Sequence, residues 1–119
     1  MTYVDGFVVA VPKGRIDDYR KMAELGGKVW LEHGALTYME CEGTDVPPGE
    51  VTSFPMAVNA GPDDVVFFSW VTYASREERD RISKLVMADP RMNEFEADPP
   101  LNMKTMIYGG FQPIVEMRR

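Results

Sequence analysis

Residues 65 to 73 read Val65-Val-Phe-Phe-Ser-Trp-Val-Thr-Tyr73, a run of β-branched and aromatic residues with the composition of a strand. Successive side chains of a strand point to opposite sides, so Phe67 and Val71 share one face and Phe68 and Trp70 the other. A strand in an antiparallel sheet packed on one side only would alternate apolar with polar residues instead. Both faces of this sheet are therefore expected to be covered. The 119 residues supply helices for one face and nothing further for the second. The economical cover is the sheet of another copy of the chain. Each large apolar side chain left in water forgoes roughly 1.5–3 kcal/mol of burial, so the pattern predicts a homodimer joined through its sheet faces.

Immediately after this strand, Ser75-Arg-Glu-Glu78 has the form of a capping box, in which the serine hydroxyl takes the Glu78 amide and Glu78 reaches back. It opens a helix that should present Ile82, Leu85 and Val86 to the core and stop at Asp89, before Pro90. Arg91 to Ala97 can add a helical turn, Asp98-Pro-Pro-Leu-Asn102 is a turn, and Met103 to Val115 reads as a last strand interrupted by Gly109-Gly110. Towards the N-terminus, residues 43–64 form an irregular connection, long for so small a protein and thus a candidate functional loop or small hairpin. Leu36 to Glu42 precedes it as a second strand. Earlier still, Arg15 to His33 is an amphipathic helix with Ile16, Tyr19, Ala23, Gly26, Trp30 and His33 on one side, closed by Gly34 as a left-handed cap. Tyr3 to Val11 is the first strand. The order β-α-β-β-α-β is the split βαβ plan: an α+β, ferredoxin-like antiparallel sheet with two helices on one face. Residues 1–119 are read as a single domain.

Bulk properties narrow the function. A net charge of −6 and interleaved basic and acidic residues argue against nucleic acid as a partner. No apolar run is long enough to span a bilayer, and the N-terminus lacks the features of a signal peptide. One cysteine allows no internal disulfide, which suits the cytoplasm.

Five collinear stretches, Val29-Trp-Leu-Glu-His-Gly-Ala-Leu36, Thr52-Ser-Phe-Pro55, Val66-Phe-Phe-Ser-Trp70, Met87-Ala-Asp-Pro-Arg-Met92 and Met106-Ile-Tyr-Gly-Gly-Phe111, resemble the YbaA-like bacterial family of unknown function. The resemblance covers essentially the whole chain. It implies a dimeric α/β-barrel of ferredoxin-like subunits and leaves the activity open.

The candidate chemistry centres on the lone histidine. His33, at the end of the first helix, can act as a general base near pH 7 facing a cavity between helix and sheet; equally, it can cap the helix end, where a cation is favoured. Trp30, Tyr38, Trp70 and Tyr108 can line an aromatic pocket for a small flat ligand, or simply fill core and interface. Glu40 and Glu42 share a strand face with Tyr38, so one carboxylate can point inwards, where burial would raise its pKa. Cys41 is expected as a small buried thiol, too far along its strand to pair with His33. One His and one Cys without metal-ligand spacing predict no metal site, and no nucleotide loop occurs, so no cofactor is expected. Gly26-Gly27 inside a helix costs roughly 1 kcal/mol per residue and calls for close contact or room for a ligand. Two functions follow. One is a small-molecule-binding domain, which in a catalytic version would be a cofactor-free oxygenase with His33 deprotonating its substrate. The other is a non-catalytic dimeric module that contacts a protein partner through residues 43–64.

Overall fold

The computed structural model describes residues 2–119. Four strands, β1 (Tyr3–Pro12), β2 (Thr37–Glu42), β3 (Asp64–Tyr73) and β4 (Ile107–Phe111), form one antiparallel sheet in the order β2-β3-β1-β4. Helices α1 (Ile16–Glu32) and α3 (Arg76–Ala88) lie on one face of it, and α2 (Phe54–Ala57) is a single turn inside the long connection. This is the ferredoxin-like α+β plan that the element order predicts. Among the described residues no helix is long and apolar enough to cross a membrane.

Side-chain parity decides how the layers meet. Val65, Phe67, Ser69, Val71 and Tyr73 of β3 face the helices, as do Tyr3, Phe7, Val9 and Val11 of β1. One cluster joins Tyr3, Val71 and Tyr73 to Val29 of α1 and to Ile82 and Val86 of α3. A second packs Tyr19 and Ala23 of α1 over Val9, Val11 and Phe67, with the Tyr19 and Phe67 rings 4.7 Å apart. The opposite face carries Val8, Phe68 and Trp70, and Phe68 is 43% exposed.

Helix α1 ends as its sequence directs. Gly34 has a positive φ of 120°, the Gly34 amide donates to the Leu31 carbonyl, and the Ala35 amide donates to the Trp30 carbonyl. That pair of bonds is a Schellman closure, which glycine forms without a Cβ clash. Three expectations need correction. The capping box is half made: Ser75 Oγ accepts from the Glu78 amide, but the Glu78 carboxylate pairs with Arg81 instead of reaching back. Leu85 is exposed rather than in the core, because Ile82 and Val86, four residues apart, already fill the stripe of α3 that meets the sheet. The last strand is only Ile107–Phe111, and Gly109-Gly110 do not interrupt it: both stay in register opposite Gly6 and Asp5. A Cβ at Gly110 would lie 2.5 Å from Tyr3 Oη and 2.8 Å from Arg79 Nη2. Glycine is there because another group approaches closely.

Candidate functional site

Between the helix-covered face of the sheet and the segment of residues 90–106 lies a cavity of about 420 Å³. Its position follows from the topology. Helix α1 packs against β2 and β1, α3 packs against β3, and the chain returns over the gap as a 3₁₀ turn (Pro90–Asn93) followed by an irregular strap. The strap is tied down by Arg15, which bonds Asp98 at 3.0 Å, and by the Asn102 amide, which donates to the Ala10 carbonyl. Apolar and aromatic side chains make most of the wall, among them Trp30, Leu25, Phe95 and Leu101.

The polar feature is Glu40. It projects inwards from the edge strand β2, opposite Ser69 in register. Tyr19 Oη donates to Glu40 Oε1 at 2.8 Å and Tyr38 Oη donates to Oε2 at 3.2 Å. Burial pushes the Glu40 carboxyl up, against the bonds from Tyr19, Tyr38 and Ser69, which favour its charged form. Burial, and next the neighbouring carboxylate, raise both tyrosines above the ordinary phenol range. The helix glycines are explained here. A Cβ on Gly27 would stand 3.0 Å from Tyr38 Cδ1 and one on Gly26 3.1 Å from Tyr38 Oη, so the bare backbone of α1 lets the Tyr38 ring lie against it. The same three groups, Tyr19, Tyr38 and Glu40, also line a groove between α1 and the edge of β2. They thus form the partition between an inner cavity and an outer groove.

Trp30 continues the wall beside Tyr38, with the two ring centroids 6.1 Å apart. Its Nε1 donates to Tyr73 Oη at 2.9 Å, and Tyr73 Oη donates to Asp5 Oδ2 at 2.8 Å. The structure therefore brings Trp30, Tyr38 and Glu40 together. It does not bring in the other expected residues. Trp70 lies on the opposite face of the sheet, in register with Met39 and packed on Phe68. Tyr108 is exposed and stacks on Phe7 at 6.3 Å. The His33 ring is outside the cavity lining, with Nε2 at 2.9 Å from Asp89 Oδ2. Asp89 also pairs with Arg91, and Arg91 with Glu32. The Arg91 guanidinium, and after it the His33 ring, hold the Asp89 carboxyl well below the usual carboxylate range. Cys41 is a free thiol on the Trp70 side of the sheet, away from the helix face. Among the described residues no group of three His, Cys, Asp or Glu is placed to hold a metal ion.

Tyr19 and Ser69 belong to the site without having been singled out from the sequence. The signal for Tyr19 was its place on the inner side of α1. For Ser69 it was a lone hydroxyl in an apolar strand. The strap methionines Met92, Met103 and Met106 had no periodic pattern to betray them.

The electrostatics make a direct prediction. In the unfolded chain Glu40 titrates in the ordinary glutamate range, and in the fold it titrates higher. Its contribution to stability is thus fully present below the ordinary range and is lost as pH rises through the folded value. Glu40→Gln removes that loss. The variant should gain stability relative to the parent as pH rises from about 4 to 8. Melting midpoints of both proteins across that range check it, and a constant difference at all pH values would contradict the burial of this carboxyl.

Residues 2–103 match the family described as "Protein of unknown function (DUF1428)". Over 116 residues the chain is 50% identical to "Uncharacterized protein YbaA" of Escherichia coli (strain K12), covering 98% of this chain and 99% of that one, with the same figures for the Shigella flexneri protein. The chain belongs to this family. Among solved structures it is similar to Rv0793 of Mycobacterium tuberculosis, with TM-score 0.61 and 13% identity over 99% of this chain and 100% of that one. A "Putative antibiotic biosynthesis monooxygenase" of Nitrosomonas europaea gives TM-score 0.62 and 9% identity, covering 95% and 90%. An uncharacterized NIPSNAP-like domain protein of Burkholderia xenovorans gives 0.59 and 16%, covering 99% and 90%. At these identities the likeness concerns the fold.

Proposed function

We propose that this member of the family is a homodimeric, cytoplasmic small-molecule-binding domain whose ligand, a small aromatic molecule, occupies the cavity above Glu40. The observation that carries the reading is one half-buried carboxyl, flanked by two tyrosine hydroxyls, at the floor of a mostly apolar cavity of about 420 Å³. Ligand sites are built this way: an apolar wall supplies affinity and a few convergent polar groups fix orientation. Trp30, Tyr38 and Glu40 hold the ligand, with Tyr19 and Ser69 steadying the carboxyl. Glu40 accepts a proton from an O–H or N–H of the ligand, the role first sought in His33. His33 instead steadies Asp89 and, through it, the start of the strap.

In the catalytic version of this reading, an electron-rich substrate deprotonated by Glu40 passes electrons directly to dioxygen, so no cofactor is needed. Residues 1–119 act as one domain of a dimeric α/β-barrel. The faces bearing Val8, Phe68, Trp70 and Phe111 meet across the two-fold axis, a reading supported by the 64% exposure of Phe111. The single free thiol, Cys41, suits a reducing compartment.

The cavity is lined by Met22, Met87, Met92, Met103 and Met106, which offer a direct assay. Aromatic fragments added to methyl-labelled protein are expected to shift these five methionine signals and raise the melting midpoint. Signals that stay in place with every fragment would end the proposal. A second reading, a non-catalytic interaction module acting through residues 43–64, draws on Val51, which is 94% exposed. Phe54 of the same connection packs edge-on against Phe68 at 5.9 Å, and Val58 is buried against Val8, Ala10 and Val66, so the connection covers part of the sheet face that the helices leave free. Val51→Asp weakening a partner contact while leaving the methionine shifts intact would favour that reading.

A further inference from the structure

The charges around the cavity are one-sided. Glu40 lines its floor and Glu96 its strap side, and the one cation that the described residues place in the lining, Arg91, is already held by Glu32 at 2.7 Å and by Asp89 at 2.8 Å. Tyr19 and Tyr38 give Glu40 two hydrogen bonds but no counter-charge. A carboxylate drawn partly out of water without an opposite charge carries a desolvation cost, and an anionic ligand beside it would add repulsion. A hydroxyl on the ligand would contribute one more neutral bond, whereas an ammonium contributes a bond and the missing charge. The faces of Phe7, Trp30, Tyr38 and Phe95 line the same space, and aromatic faces attract cations. The thioethers of the five methionines adapt to an irregular apolar body.

Resting on the reading of this cavity as the ligand site, we propose that its ligand is a hydrophobic amine, bound as the ammonium ion to Glu40 with its apolar body against the methionines and aromatic rings. The groups facing Glu40 are Tyr19 from α1, Tyr38 from its own strand and Ser69 from β3, with Arg91 and Glu96 elsewhere in the cavity lining and Arg20, Glu24 and Lys28 of α1 and Glu42 of β2 along the outer groove. Among the described residues none of these cations forms an ion pair with Glu40, so none replaces the ammonium. As pH rises through the titration of Glu40 the carboxylate forms while an alkylammonium stays protonated. Affinity therefore rises, by up to about tenfold per pH unit, until the carboxyl is fully ionised.

The test compares three probes of nearly one shape: tryptamine, its neutral alcohol counterpart tryptophol, and anionic indole-3-acetate. Each is titrated into the full chain between about pH 5 and 8, followed by the methionine methyl signals and by calorimetry. Tryptamine is expected to bind at least about tenfold more tightly than tryptophol at the upper end, with affinity rising with pH. Indole-3-acetate should bind weakest, and Glu40→Gln should abolish the preference for the amine. Tryptophol binding as well as tryptamine, or a preference that survives Glu40→Gln, overturns the amine assignment while the cavity remains a ligand site. If none of the three moves the methionine signals, the site reading fails with it. The pH series gives an answer even where the variant does not fold.

Discussion

Replacing Tyr73 by phenylalanine is expected to lower stability by about 2–4 kcal/mol, although it removes one oxygen atom. Tyr73 has no exposed surface, and its hydroxyl ties strands β3 and β1 to helix α1. It donates to Asp5 Oδ2 on β1 and accepts from Trp30 Nε1 on α1. Burial, reinforced by the Asp5 carboxylate, holds this phenol protonated well above the ordinary range, so it remains a donor at every working pH. Asp5 is itself only 8% exposed, and its other partner, Arg79 Nη1, stands at 3.7 Å from Oδ1. Phenylalanine would leave a buried carboxylate short of its best donor and an indole N–H without an acceptor. Each such orphan costs about 1–3 kcal/mol. In a domain of this size the sum lowers the melting midpoint by roughly 10 °C. Denaturant unfolding of the parent, Tyr73→Phe, Trp30→Phe and the double variant measures it. The two losses should be non-additive, since both break one chain of bonds. A loss within about 0.5 kcal/mol for Tyr73→Phe would mean that water or another donor replaces the hydroxyl.

Trp70→Asp should turn the proposed dimer into a monomer. Trp70 and Phe68 sit ring to ring, 5.5 Å between centroids, on the face that the helices do not cover. In a two-fold interface one substitution enters twice, placing two like charges in an apolar contact. Unpaired buried charges cost several kcal/mol each, so association should weaken by at least about a thousandfold, near 4 kcal/mol. The monomer keeps its fold, because the helix-side clusters contain no part of Trp70. Sedimentation equilibrium on the parent, on Trp70→Asp and on Leu85→Glu, a change on exposed helix surface, separates loss of the interface from a general charge effect. An unchanged mass for Trp70→Asp, or a parent that is already a monomer at micromolar concentration, would falsify sheet-face pairing.

Much of this architecture was legible in local pattern. Helix α1, its closure at Gly34, the start of α3 at Ser75 and its stop before Pro90 rest on backbone rules that act within a few residues. The doubled apolar faces of Val65 to Tyr73 needed only the two-residue period of a strand. The same period put Tyr38, Glu40 and Glu42 on one face and so raised the possibility of an inward carboxylate. Leu85 shows the limit of such reasoning. A helical period ranks it with Ile82 and Val86, but how wide a stripe is buried depends on the shape of the surface opposite.

What sequence alone determined was therefore which residues travel together: the elements, their order, and the parity of every strand. Which face of the sheet meets the helices is a separate matter, because parity is symmetric and exchanging the two faces leaves every local pattern unchanged. Only the tertiary structure decided that Phe67 and Val71 turn to the helices while Phe68 and Trp70 turn away. It also placed Glu40 between Tyr19 and Tyr38, and set His33 against Asp89, 56 residues later in the chain. Those pairings arise from strand register and from where α1 and α3 come to rest. Both are set by packing between segments far apart in sequence, and no short stretch encodes them.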